Sequence, residues 1–166
     1  HALVELPARR SDAGQRRLVA AIQKTAAGLA ERVAASRVLG TGLAVTGMVD
    51  SDRRTIVQSA FFPGLGGVDL TEVVRGAVAA PVEIDTSARC LGIGAARFGS
   101  ARGIGTFVFL ELGRGIGCAV LCDGQLHRGA SGGAGELGHS TVVDNGPLCG
   151  CGHRGGGGWR RQRQRC

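Results

Sequence analysis

The stretch from Gly105 to Leu126 constrains this chain's fold more than any other. Gly-Thr-Phe-Val-Phe-Leu-Glu-Leu, residues 105–112, reads as a strand, rich in aromatic and branched apolar residues. Gly113-Arg-Gly-Ile-Gly117 is a tight turn, and Cys118–Cys122 returns as a second strand. Asp123-Gly124 then signals a hairpin. Two strands joined by so short a turn pair antiparallel, which fixes a sheet in this half of the chain. Gly113, Gly115 and Gly117 let the backbone turn with N–H groups exposed, a form able to cradle phosphate. Taken alone, a Gly-rich hairpin turn of this kind is more often a structural connection.

The remaining segments alternate between helical and extended patterns. Residues 2–6 read as a strand, and residues 12–36 as a long helix capped by Ser11 or Asp12. Leu18, Ile22, Ala26, Leu29 and Val33 recur at spacings of three and four and share one face of it. Residues 38–45 form a short buried strand, 50–54 a polar turn, 55–59 a second short strand and 61–67 a Pro- and Gly-containing loop. A helix is expected over 69–79 with Leu70, Val73, Val74 and Val78 inward, then a strand from Pro81 to Ile84 followed by Asp85-Thr86-Ser87. A helix follows over 88–98, where Gly92 and Gly94 imply close packing. From Gly129 a long Gly-rich loop carries Glu136 and His139, and residues 141–143 end the pattern as a short strand. This order points to α/β layers, with no internal repeat.

Composition narrows the class. Hydrophobic residues make up 43%, enough to build a core. No apolar run approaches the roughly 20 residues that span a bilayer, so no membrane partner is expected. The start, His1-Ala-Leu-Val-Glu-Leu6, is neither Met nor a secretory leader, and the chain reads as a fragment of about one domain or pieces of two. The net charge of +7 is concentrated in Arg160, Arg161, Arg163 and Arg165, with Arg9, Arg10, Arg16 and Arg17 near the start. Only 4% of residues are aromatic, and no helix-turn-helix is visible. A solvated surface with a basic tail explains the charge better than nucleic-acid binding by this chain. Cys90, Cys118 and Cys122 sit among apolar or small residues as free thiols, and a reducing cytoplasm is the expected compartment.

Two constellations carry chemistry. Glu136 and His139 lie three residues apart among small residues and can converge on a polar ligand; a carboxylate accepts well from two adjacent sugar hydroxyls. Taken alone, they fit a surface loop with incidental polar residues better than a binding site. His139-x9-Cys149-x-Cys151 supplies three ligands with metal spacing, pointing to a structural zinc.

Taken together, these motifs resemble the ROK family of repressors, open reading frames and kinases. The pattern runs Gly-x-Gly-Ile-Gly at 113–117, Asp-Gly at 123–124, Gly-x-x-Gly-x-Ala-Gly-Glu-x-Gly-His at 129–139 and Cys-x-Cys-Gly at 149–152. Upstream, Gly40 to Asp50 resembles the family's strand ending in Pro-Gly-x-Val-Asp, with Thr46 in the Pro place. Pro81-Val-Glu-Ile-Asp-Thr-Ser-Ala88 resembles its Pro-Val-x-Val-x-Asn-Asp-Ala. The resemblance implies an actin-like, hexokinase-like (ribonuclease H-like) two-lobed α/β fold, incomplete here at both ends. Residues 1–100 would be a partial N-terminal lobe, 101–155 the beginning of the C-terminal lobe, and 156–166 a basic tail outside the family. It implies that Glu136 and His139 contact a sugar or sugar phosphate held between the lobes. Thr86 and Ser87 would stand at further substrate positions, and Gly113, Gly115 and Gly117 at a phosphate motif. Zinc would be held by His139, Cys149 and Cys151. The intact parent is expected to be a homo-oligomer, with DNA bound only through a domain outside this chain.

Departures from the pattern shape the functional expectation. Family kinases carry a sugar-binding Asn and a catalytic Asp where this chain has Thr86 and Ser87, and a Ser hydroxyl is far too weakly basic to replace the carboxylate. Arg114 replaces the small Thr of the phosphate turn. No catalytic residue is therefore assigned. The expectation is the effector-binding part of a repressor, with ATP and Mg required only if the parent is a glucokinase-like sugar kinase; a degenerate remnant is the blander reading. Gly156 stands where a fourth zinc ligand belongs, and Gly158 where a further sugar-binding Glu belongs. The tail from Trp159 to Cys166 suggests a shifted reading frame. His153 and Cys166 are the other candidates for a fourth ligand.

Overall fold

The computed structural model describes residues 12–33, 38–50, 52, 54–59, 62–78, 80–113, 115–149 and 151–157. The strand expected over 2–6, the Ser11 cap, the Asp12 side chain, Arg114 and everything after Gly157 lie outside those residues. The chain divides into two compact units, His1–Asp85 and Thr86–Cys166.

In the first unit, helix α1 (Asp12–Glu31) packs against helix α2 (Leu70–Arg75). Strands β1 (Thr41–Val45) and β4 (Val82–Thr86) pair in one sheet. Strands β2 (Met48–Asp50) and β3 (Thr55–Gln58) form an antiparallel ribbon with an irregularity at Met48/Val49. Leu18, Val49, Ile56, Leu65, Leu70 and Ile84 make one core cluster, and Ala26, Val74, Val78 and Val82 a second.

Both expected helices are shorter than their apolar patterns. α1 ends at Glu31, not near residue 36. α2 begins after Asp69, whose carboxylate accepts from the N–H groups of Thr71 and Glu72, and stops at Gly76. The expected 61–67 loop contains a single 3-10 turn, Pro63–Leu65, consistent with a Pro-Gly pair that supports a turn and no longer helix.

The apolar stripe of α1 is buried at Leu18 and Ala26, but Leu29 and Val33 are 59% and 47% exposed. They line an open apolar groove of about 550 Å³ with Val38, Leu43, Val74 and Val78. No described element covers that end of the stripe, so periodicity alone overstated its burial.

The second unit contains helix α3 (Ser87–Phe98) and a three-stranded antiparallel sheet. Its strands are β5 (Phe107–Leu112), β6 (Ile116–Cys122) and β7 (Gln125–His127), in the order β5-β6-β7. Asp123 and Gly124 both have positive φ, 52° and 75°, as the two-residue hairpin joining β6 to β7 requires. α3 lies on β6 and β5. Gly92 is the contact point, since a Cβ there would sit 2.7 Å from Ala119 Cβ. Gly94 faces open space, contrary to expectation. The expected strand at 141–143 reduces to a single bridge, Thr141 to Gly156, because its partner is a glycine-rich turn and no extended run. No described helix is long and apolar enough to cross a membrane.

Candidate functional site

The candidate residues all lie in the second unit. They gather around the start of β6 from three directions: the first turn of α3, the end of β5 and the loop that follows β7.

Thr86 caps α3, its hydroxyl oxygen accepting from Arg89 N–H, and is buried. That places Ser87 as the first helical residue, half-buried, with its Oγ donating to Glu111 Oε2 at 2.9 Å. Glu111 sits opposite Gly117 in the β5–β6 register. A Cβ on Gly117 would lie 2.7 Å from Ala88 Cβ and 3.2 Å from Glu111 Oε2. Glycine here thus lets helix, strand and carboxylate meet. Of the three glycines read as a phosphate turn, Gly113 and Gly115 form the turn, with Gly113 N–H donating to Gly115 O, while Gly117 is already inside β6.

The loop after β7 lies flat on the sheet. Cβ atoms on Gly135 and Gly138 would each come within 2.4 Å of β6 carbonyls, those of Cys118 and Ile116. Only side-chain-free residues allow that approach. Arg89 ties the loop to α3: its terminal nitrogen donates to the carbonyls of Gly132 and Ala134, and the residue is 1% exposed. The loop then turns through a 3-10 helix, Leu137–His139, with Glu136 at its start. Burial pushes the Glu136 carboxyl above the ordinary value, while the charges of His139 and Arg89 partly offset it. Burial, and then the Glu136 charge, raises the neighbouring Cys118 thiol.

His139 faces two ways. Its Nε2 lies 3.8 Å from Glu136 Oε2, and its Nδ1 lies 3.4 Å from Cys149 Sγ. The donor atoms of His139, Cys149 and Cys151 all lie within 4.8 Å of one another. A tetrahedral zinc with bonds of about 2.3 Å to sulfur and about 2.0 Å to nitrogen needs S···N edges of roughly 3.5 Å and S···S edges of roughly 3.8 Å. The 3.4 Å separation of His139 Nδ1 and Cys149 Sγ matches an S···N edge, and the three donors together could hold such an ion. The segment is a knuckle closed by Cys149 N–H to His153 O at 2.7 Å and Gly152 N–H to Cys149 O at 3.0 Å. His153 Nδ1 lies 3.7 Å from Cys151 Sγ, close to an S···N edge, but outside the three-donor cluster. A Cβ on Gly156 would lie 3.3 Å from Cys149 Sγ, so the residue at 156 borders the donor set.

The structure thus brings Glu136, His139, Cys149 and Cys151 into one continuous cluster, with Thr86 and Ser87 at the head of α3. Two further residues, Arg89 and Glu111, were not singled out by sequence. The signals were an arginine in an Ala- and Gly-rich helix and a carboxylate in an otherwise apolar strand.

Comparison with known proteins gives a consistent picture. The model of the ROK family matches residues 6–157. A xylose repressor of Bacillus subtilis is 33% identical over 120 residues, covering 71% of this chain and 30% of the repressor. A glucokinase of Thermotoga maritima is 36% identical over 114 residues, covering 69% of this chain and 36% of the enzyme. The crystal structure of a ROK family glucokinase from Streptomyces griseus, in complex with glucose and AMPPNP, superposes with a TM-score of 0.76 at 31% identity. That match covers 90% of this chain and 46% of the glucokinase. The chain thus spans about a third of the length of these curated relatives. Its fold class is the actin-like, hexokinase-like α/β fold of the sugar kinases.

Proposed function

The chain belongs to the ROK family, and on that premise we propose that it is the sugar-binding part of a repressor-type member, which senses a sugar or sugar phosphate without phosphorylating it. The observation that carries the reading is the hydroxyl of Ser87 at the head of α3, where a phosphoryl-transfer site needs a carboxylate within reach of the attacking hydroxyl. Xylose repressors and glucokinases both stand among the relatives, so the choice rests on Ser87.

In this reading Glu136 accepts from adjacent sugar hydroxyls and His139 Nε2 offers a further polar contact. Ser87 contacts the ligand from α3, with Thr86 framing it from the cap. Gly113 and Gly115, which form the turn, would stand at the phosphate motif of a kinase-type parent, whereas Gly117 lies inside β6. His139, Cys149 and Cys151 would hold a structural zinc, whose chemistry is to lock the knuckle and so the loop bearing Glu136. DNA binding and homo-oligomer formation belong to the intact parent.

The test has two arms. Thermal unfolding of this chain with glucose, xylose and their phosphates should show a ligand-dependent rise in Tm. A coupled ATP assay of the intact parent over the same sugars should show no turnover. Turnover would overturn the repressor reading, and absence of any shift would overturn sugar sensing. A ROK sugar kinase using ATP and Mg is the second reading. It is favoured by the Glu111 carboxylate, which stands 2.9 Å behind Ser87 Oγ. Ser87→Asp in the intact parent would raise turnover if a carboxylate is all that is lacking.

A further inference from the structure

We propose that Glu111, acting through Ser87, forms a hydroxyl-selective subsite: a specificity-determining carboxylate that admits a free sugar hydroxyl and rejects its phosphate ester. This rests on reading the second unit as sugar-binding.

Glu111 is out of place by the logic of its strand. β5 is otherwise Phe-Val-Phe-Leu-Leu, and Glu111 shares the alternating face of Phe107 and Phe109. Phe109 on that face packs beside Gly92 of α3. A carboxylate on a helix-covered face is costly without a compensating contact. Its contact is the hydroxyl of Ser87, and its space is supplied by Gly117 directly across the ladder. Ser87 opens a 12-residue helix, whose N-terminal partial charge favours an anion there. Neither residue is fully buried, so the pair keeps some contact with solvent.

Hydrogen-bond arithmetic then sets the selectivity. A serine hydroxyl has one proton and two lone pairs. Ser87 donates its proton to Glu111, which leaves only lone pairs facing outward. Glu111 offers nothing but acceptors. A group entering this corner must therefore donate. A sugar hydroxyl does so; a phosphate ester carries only acceptor oxygens and meets the carboxylate's charge. The Glu136 loop reaches the same end of β6 as this corner: Gly138 abuts the Ile116 carbonyl, one residue before the Gly117 that faces Glu111.

The experiment is isothermal titration calorimetry of the full chain with glucose, xylose, the monodeoxy analogues of each, and their phosphate esters. Glu111→Gln and Ser87→Ala are compared with Glu136→Gln, and melting curves confirm folding. For whichever sugar binds, Glu111→Gln should weaken it about tenfold, a loss of the size of one charge-assisted hydrogen bond. One deoxy analogue should bind the native chain about tenfold worse and then lose nothing further in Glu111→Gln, which locates the hydroxyl. The ester at that hydroxyl should regain affinity in the same variant. Two results overturn the inference while leaving sugar binding intact. In one, Glu136→Gln abolishes binding but Glu111→Gln and Ser87→Ala stay within twofold of native. In the other, Glu111→Gln weakens every deoxy analogue by the same factor, the mark of a merely structural carboxylate. Failure of the native chain to bind any sugar overturns the parent reading and this one with it.

Discussion

Replacing Arg89 with Met tests whether the ligand loop is held from α3. Arg89 is 1% exposed, and its terminal nitrogen bonds the carbonyls of Gly132 and Ala134. Its charge also favours the Glu136 carboxylate. A hydrogen bond from a charged donor is worth about 1.5–3 kcal/mol. The two carbonyls belong to half-buried residues that recover some solvation from water, so the sum is discounted to about 2–4 kcal/mol. Met fills much of the same volume, so the loss is of bonding more than of packing. The opening free energy of the loop should fall by that amount, which raises amide exchange in peptides covering 128–139 by about 30- to 1,000-fold. Hydrogen exchange read by mass spectrometry measures this, with peptides from β1 to β3 in the first unit as internal controls. Arg89→Lys should fall between, since a single ammonium lacks the planar fork. Loop exchange within threefold of native in Arg89→Met would refute the reasoning, as would equal acceleration in both units.

Other expectations follow from the same geometry. The chain should purify with one zinc, and Cys149→Ser should lose it and speed exchange in the knuckle; full metal retention in that variant would exclude the proposed donor set. Gly156→Cys places a fourth thiol beside Cys149 and should raise zinc affinity at least about tenfold by closing a four-donor shell, read by competition with a chromophoric chelator. If His153→Ala weakens metal binding in the native chain but not in Gly156→Cys, His153 is the native fourth donor. Gly117→Val pushes a side chain into Ala88 and Glu111 and should cost about 1–3 kcal/mol in denaturant unfolding. Burial pushes the Asp69 carboxyl up, but the Thr71 hydroxyl, the N–H groups of Glu72 and Thr71 and the Arg75 charge outweigh it and hold it below the ordinary value. Its contribution is therefore complete above the ordinary carboxylate range and lost as pH falls through the lowered value. Asp69→Ala should cost about 0.5–2 kcal/mol at pH 7, with the gap to native closing below about pH 4 in urea unfolding.

What the sequence disclosed depended on how local the cause was. The Asp123-Gly124 hairpin was legible because its two left-handed residues are a property of the dipeptide itself. His139, Cys149 and Cys151 were legible as a cluster because their spacing is short and unusual, and their donor atoms lie within 4.8 Å of one another; Glu136, which spacing alone left as an incidental loop residue, lies 3.8 Å from His139. Leu29 and Val33 misled because a helical stripe records which residues are apolar and says nothing of what covers them. The β-branched run at 141–143 misled because a strand needs a partner, and the chain opposite is a turn. Arg89 and Glu111 stayed hidden for a related reason: their partners lie 43 and 24 residues away, and only the placing of α3 against β5 and the loop makes them functional candidates.

The two-sided setting of His139 has a consequence for how metal and ligand communicate. Imidazole has just two ring nitrogens, and here one looks at the cysteines and the other at Glu136. A cation held on Nδ1 would fix the tautomer: the proton would then reside on Nε2, making that edge a donor toward the carboxylate or a ligand oxygen. Without it the ring would be able to exchange tautomers. By reciprocity, whatever factor the ion adds to ligand affinity, the ligand must return to ion affinity. One five-membered ring would then suffice as the wire between the two sites.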